Sequence, residues 1–185
     1  MRCSWAQSEP NLTYHDTEWG VPSHDDRHLF EMLILEGAQA GLSWTTVLKR
    51  REGYREAFHN FDPQLVANLS EAEKVQILAT ANIIRNRAKV ASAVRNAQAF
   101  LKVQEEFGSF DKFLWDFVGG SPIQNEWEDT SSLPASTPLS YSLSKVLIKR
   151  GFNFVGNTIC YAYMQATGVI NDHVTSCFRY QELRQ

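Results

Sequence analysis

The chain of 185 residues lacks several features that would classify it at once. No apolar run approaches the roughly 18 residues that a membrane span needs, and Met1-Arg2-Cys3-Ser4-Trp5 has no apolar core of a secretion signal behind it. The expected compartment is therefore the cytoplasm, without a membrane partner. Cysteine is scarce and odd in number, with Cys3, Cys160 and Cys177 only, which argues against a disulfide framework and leaves metal ligation or plain burial. There is no excess of positive charge: the net charge of -3 does not by itself announce a nucleic-acid binder. No alternation of apolar and polar residues persists, and there are no repeats or low-complexity tracts, so the fold class expected is all-α.

Acid is missing locally as well. Between Lys74 and Gln104 there is no Asp or Glu, while Lys74, Arg85, Arg87, Lys89, Arg95 and Lys102 are present, and the stretch from Thr130 to Asn171 carries Lys145, Lys149 and Arg150 without any acid. Two acid-free basic tracts in a net-acidic chain could form one positive face. Solvated helix faces paired with acids from elsewhere are the plainer alternative.

What is present reads as a succession of helices. The segment from Met1 to Pro22 has little periodicity but carries too many aromatics to be a loose tail. Asp25 or Asp26 can cap a helix through Leu29 to about Ala40, and a second helix is expected from Ser43 to about Phe58. Asp62-Pro63 opens a short helix, Ser70 to Glu73 fits a capping box, and Asn82 is expected to open the longest helix, ending at Gly108. An aromatic helix follows from Ser109 to Val118, and Ser121 to Thr137 reads as a surface loop. Pro138 restarts a helix to Arg150, another runs from Gly156 to about Thr167, and Asn171 or Asp172 should cap a last short helix bearing His173, Cys177 and Tyr180.

The stretch from Leu35 to Trp44 stands out. Its acid, Glu36, ends the continuous apolar run Leu29, Phe30, Met32, Leu33, Ile34, Leu35, which places it close to a core, where an acid costs free energy without a partner or a task. Gly37 and Gly41 let another backbone approach, and Ser43 is a good N-cap for the helix that starts with Trp44. Trp5, Tyr14, Trp19 and Trp44 all lie in the first 44 residues with Glu36. Core packing is one reading of these aromatics; a site for a flat cationic base, stacked on the rings and hydrogen-bonded by the acid, is the other.

Two further constellations carry chemistry. His173 and Cys177 would share one helix face at i and i+4, and Cys3 with His15 offers a second close pair; together the four could hold one structural zinc and clip the two ends of the chain together. Packing without metal is the alternative. Lys149-Arg150-Gly151 through Gly156-Asn157 forms a glycine-bounded hairpin between helices, where backbone N–H groups can meet a phosphate; an ordinary helical corner buried through Phe152 and Phe154 is the competing view.

Taken in order, Arg2-Cys3-Ser4-Trp5, Tyr14-His15-Asp16, Glu18 to Pro22, Leu35 to Trp44, Phe58 with Phe61-Asp62-Pro63, Ile83 to Arg87, Arg150 to Cys160 and Asn171 to Val174 resemble the bacterial DNA-3-methyladenine glycosylase I family, over essentially the whole chain. The resemblance implies a helix-hairpin-helix DNA glycosylase fold: one domain over 1–185 with two helical lobes, segment 1–22 clipped to helix 171–180 by zinc on Cys3, His15, His173 and Cys177. It implies hydrolysis of the N-glycosidic bond of alkylated double-stranded DNA, releasing free 3-methyladenine and leaving an abasic site without strand cleavage. Glu36 is then the catalytic-site carboxylate, and Tyr14 and Trp44 stack on the base while Trp5 and Trp19 wall the pocket. Gly41 and Leu42 approach the gap in the duplex, and Lys149, Arg150, Gly151 and Gly156 meet the DNA backbone. The enzyme would be a monomer in the bacterial cytoplasm, at the nucleoid when on DNA. The segment from Glu9 to Tyr14 departs from the family pattern in being one residue short and lacking a further tyrosine, and Asp172 is expected to cap or to support a zinc ligand. A zinc-stabilised DNA-binding module that recognises lesions without catalysis is the alternative.

Overall fold

In a computed structural model, which describes residues 1–184, the chain is mostly helical and is organised around α2 (Asp26–Gln39). Asp25 caps it by accepting from the Arg27 backbone N–H, and every residue from Leu29 to Ala38 is buried. Such a helix must be covered on all sides, and α2 packs against α3 (Trp44–Leu48), α7 (Arg87–Phe107), α8 (Phe110–Val118) and α10 (Asn157–Ala166). Asp26 caps a different helix from the one it begins: its carboxylate accepts from the backbone N–H groups of Phe110 and Asp111, tying the start of α8 to the start of α2.

Several expectations need correction. The N-terminal segment contains α1 (Asn11–Thr17), which its weak periodicity did not reveal. The helix expected from Ser43 to Phe58 is two, α3 and α4 (Arg51–Ala57), broken at Lys49 and Arg50. The break turns α4 so that Gly53 meets the backbone of Asn82, leaving no room for a side chain: a Cβ there would lie 2.2 Å from the Asn82 carbonyl oxygen. Residues 82–86 are not helical, and Asn86 rather than Asn82 caps α7, its side chain accepting from the Lys89 N–H.

The next short helices follow their caps. Asp62 opens α5 (Pro63–Ala67), and Ser70 with Glu73 makes the expected capping box of α6 (Glu71–Thr80). The stretch Ser121 to Thr137 is more than a surface loop, because β1 (Ile123–Gln124) pairs in parallel with β2 (Ile170–Asn171). Among the described residues the fold is thus helical with one minimal two-stranded ladder. Thr137 caps α9 (Pro138–Lys149), which packs on α10. The final helix, α11 (Phe178–Glu182), begins after Cys177, so His173 and Cys177 do not share a helix. They meet instead across a turn closed by the Cys177 N–H on the Val174 carbonyl. No described helix is long and apolar enough to cross a membrane.

Candidate functional site

The aromatics of α1, its flanks and α3 gather beside the last turn of α2. Tyr14 and Trp44 lie with ring centroids 5.3 Å apart at 54°, Trp5 and Trp19 meet edge-on at 5.0 Å, and Trp5 reaches Tyr14 at 6.4 Å. With Glu36 they line a cleft of about 390 Å³. All five side chains expected there are present, joined by Asn11, Gln39, Leu133 and Gln165, which local sequence pattern did not mark. Asn11, held by Thr45 at 3.0 Å, stands in the segment that departs from the family pattern. Gln165 and Leu133 arrive from elements more than 90 residues downstream of Glu36, and no signal near either points to the cleft.

Glu36 is 3% exposed, and its Oε2 is buried without a hydrogen-bond partner. Burial alone pushes its carboxyl up to about 8, since no cation offsets the desolvation. The neighbouring acids are satisfied quite differently. Arg51 donates to Glu18 at 2.7 Å and to Glu31 at 2.8 Å, and Arg55 also donates to Glu31. Burial opposes ionisation of Glu18, but hydrogen bonds from His28 and Arg51 outweigh it and hold the carboxyl down at about 2. Tyr14 Oη and Trp44 Nε1 are buried and unpartnered like Glu36, and burial, then the Glu36 and Glu18 charges, drive the Tyr14 phenol well above its ordinary range. A cleft with aromatic faces, an uncompensated acid and unused polar atoms suits a flat ligand that brings positive charge and its own hydrogen-bonding edge.

The α2 end of the cleft is held from behind. Lys89 of α7 donates to the carbonyls of Ala38 and Ala40 at 2.7 and 2.9 Å, supplying a cation and two hydrogen bonds to the helix C-terminus. The chain then turns through Gly41, at φ +80°, which leaves Leu42 at 42% exposure before Ser43 caps α3.

Cys3, His15, His173 and Cys177 are all buried, and their ligand atoms lie within 4.8 Å of one another. The Sγ atom of Cys177 is 3.4 Å from His15 Nε2 and 3.5 Å from His173 Nδ1, and that of Cys3 is 3.6 Å from His173 Nδ1. A tetrahedral ion with ordinary metal–sulfur and metal–nitrogen bonds separates such donors by about 3.5 Å. The outer nitrogens are committed: His15 Nδ1 meets Asp16 at 2.8 Å and His173 Nε2 meets the Trp19 carbonyl at 2.9 Å, so each inner nitrogen turns a lone pair into the cluster, where the Cys3 N–H is a long 3.4 Å donor to His15 Nε2. Burial lowers both imidazoles, His173 to about 4, which keeps them neutral as ligation requires. These four residues could hold a metal ion. Trp19 ties that cluster to the cleft, since its carbonyl steadies His173 while its ring forms a wall.

Asp172 neither caps α11 nor touches a metal donor; it accepts from Asn125, Trp127, Tyr161 and Gln165. In the turn between α9 and α10, Gly151 adopts φ +94° and Gly156 begins α10 with its face exposed. Phe154 packs against Gly37, where a Cβ would lie 3.2 Å from the Phe154 Cβ, so the hairpin abuts the helix that carries Glu36. Lys149 is exposed, but Arg150 is not a free cation: it pairs with Glu106 at 2.7 and 3.0 Å and lies over Phe107 and Phe113.

The methyladenine glycosylase family model matches residues 5–180. The chain is 49% identical over 180 residues to DNA-3-methyladenine glycosylase 1 of Escherichia coli K12, covering 97% of this chain and 96% of that protein. It is 46% identical over 177 residues to DNA-3-methyladenine glycosylase of Haemophilus influenzae, with 95% and 96% covered. A crystal structure of 3-methyladenine DNA glycosylase I superposes with a TM-score of 0.93 at 50% identity, over 96% of this chain and 98% of that one. The Staphylococcus aureus enzyme, solved to explain 3-methyladenine recognition, gives 0.92 at 36% identity, over 96% and 95%.

Proposed function

The chain belongs to the methyladenine glycosylase family, and from that premise we propose that it excises 3-methyladenine from alkylated double-stranded DNA in base excision repair. The observation that carries the reading is the buried, unpartnered Oε2 of Glu36 among Trp5, Tyr14, Trp19 and Trp44. A 3-methyladenine nucleotide carries positive charge on a flat ring. Flipped into the cleft, it gives Glu36 the counter-charge the protein withholds and gives Tyr14 and Trp44 a stacking partner. The glycosidic bond of this cation is already weak; water adds hydroxide to C1′ and releases a proton, while the bond electrons leave with the base, which departs neutral. The protein's task is to desolvate, orient and recognise the cation, and no strong acid is needed. Among the described residues no lysine lines the cleft, in keeping with a monofunctional enzyme that leaves an abasic site uncut.

Leu42 on its exposed turn fills the gap in the duplex, with Gly41 letting the backbone come close. The hairpin from Lys149 to Gly156 offers backbone N–H groups and Lys149 to phosphates. Arg150 braces that hairpin through Glu106 rather than meeting phosphate first. Zinc is the ion that suits two thiolates and two imidazoles in tetrahedral array, and with all four positions filled by protein it is structural. It joins segment 1–22 to the end of a single two-lobed domain and so holds Trp5, Tyr14 and Trp19 in position. The enzyme acts as a monomer in the cytoplasm, with cleft, hairpin and metal cluster in one chain. Chromatography of bases released from methylated DNA tests the reading: 3-methyladenine should appear in quantity, and a pure, folded protein releasing only 7-methylguanine would overturn it.

A further inference from the structure

Asp172 is a fully buried acid that excision as described above leaves without a task. Its Oδ1 accepts from Asn125 Nδ2 and Trp127 Nε1, both at 2.7 Å. Its Oδ2 accepts from the Tyr161 hydroxyl at 2.5 Å and from Gln165 Nε2 at 2.7 Å. Burial and the Asp172 hydrogen bond raise the Tyr161 phenol far above its ordinary range, so it remains a donor. A carboxylate has no hydrogen to give, so the Gln165 amide can turn only its NH2 group toward Asp172. The carbonyl end of the same amide is left over, and Gln165 lines the cleft that holds Glu36 and Trp44.

We propose that Gln165 is a specificity-determining residue of this cleft, its amide locked by Asp172 so that Oε1 faces the bound base as a hydrogen-bond acceptor. The chemistry it selects is an exocyclic amino group. Adenine carries N6–H2 donors where guanine carries the O6 acceptor. An amino group has two hydrogens, and Glu36 Oε2, buried without a partner, together with Gln165 Oε1 would accept both. A guanine-type lesion would instead set its carbonyl oxygen against the lone pairs of Gln165. The lock is remote from the base by design: Asn125 and Trp127 fix one oxygen of Asp172, so the other cannot rotate away from Gln165. The inference rests on the excision reading and adds to it how adenine lesions are told from guanine lesions.

Two substitutions separate this role from a merely structural one. Gln165→Met keeps the length and loses the acceptor. Asp172→Asn should invert the amide: Trp127 can only donate, so the Asn carbonyl must stay toward it, its NH2 then faces Gln165, and Gln165 turns its own NH2 into the cleft. The readout is the ratio of 3-methyladenine to 3-methylguanine released by each full-length protein from the same methylated DNA under single turnover. Gln165→Met should lower that ratio about tenfold, the usual worth of one hydrogen bond, and Asp172→Asn should lower it further by raising release of 3-methylguanine. Ratios within about twofold of wild type in both variants, or a parallel loss of both bases, would overturn the proposal. Metal content and melting are checked first, and if Asp172→Asn does not fold, Gln165→Met decides alone. A wild-type protein that releases neither base would sink the excision reading itself, an outcome distinct from an unchanged ratio in an active enzyme.

Discussion

Glu36→Gln should make the protein more resistant to unfolding at alkaline pH, although it removes the acid to which the proposed function assigns base recognition. In the folded chain the carboxyl is held up to about 8, against 4.5 as its ordinary value. Below the lower value the group is protonated in both states and costs nothing. Between the two values unfolding releases a proton, so stability falls as pH rises, and above the folded value the full cost is present. A shift of this size corresponds to at most about 5 kcal/mol, of which about 4 kcal/mol accrues between about pH 5 and about pH 8.5. That is a large share of a domain's usual margin of about 5–15 kcal/mol. Urea unfolding of wild type and variant at the two pH values measures it, because other titrations and the constant effect of the new amide cancel in the difference of differences. The variant should gain several kcal/mol on wild type as pH rises. Parallel stability curves would refute the claim that Glu36 is buried without compensation.

Two further outcomes follow from the geometry. Elemental analysis should find about one zinc per chain, and Cys177→Ser or chelation should lower the melting temperature by roughly 10 °C or more, the scale of a lost structural ligand in a chain of this size; metal-free protein of unchanged stability would remove the clip. Gly53→Ala should cost about 2–3 kcal/mol in urea unfolding, since its Cβ would meet the Asn82 carbonyl oxygen at 2.2 Å and backbone cannot step aside like a side chain. A neutral result would mean that α4 can slide past residues 82–86.

Much of this architecture was legible because its causes are local. Asp25, Ser43, Asp62, Ser70, Ser109 and Thr137 all accept from a backbone N–H within three residues, and each marks a helix start that the sequence pattern located. Two of the errors came where distant contacts intervened. The break between α3 and α4 lets Gly53 lie against the backbone of Asn82, a contact that no window of adjacent residues contains, and α7 starts only after the segment that carries Asn82. The pairing of Ile123 with Ile170 gave an apparently polar loop a strand partner 47 residues away. The expected helix from Asn171 failed for another reason: the helical i, i+4 spacing of His173 and Cys177 is also met by a turn, and the turn is what brings both donors to Cys3 and His15.

The sequence by itself determined which residues could matter: an acid at the end of an apolar run, four aromatics near it, and two pairs of soft and imidazole donors, together in the order that carries the family resemblance. Side-chain type and short-range spacing suffice for that, because ligand chemistry, capping and helical periodicity act within a few residues. Only the tertiary structure decided how each charge is answered. Arg150 is taken by Glu106, 44 positions away, Asp172 by Asn125 and Trp127 from the opposite loop, while Glu36 is left with a buried oxygen and no partner. Whether a buried polar group is satisfied depends on which distant segments close over it, and that is settled only when the helices pack.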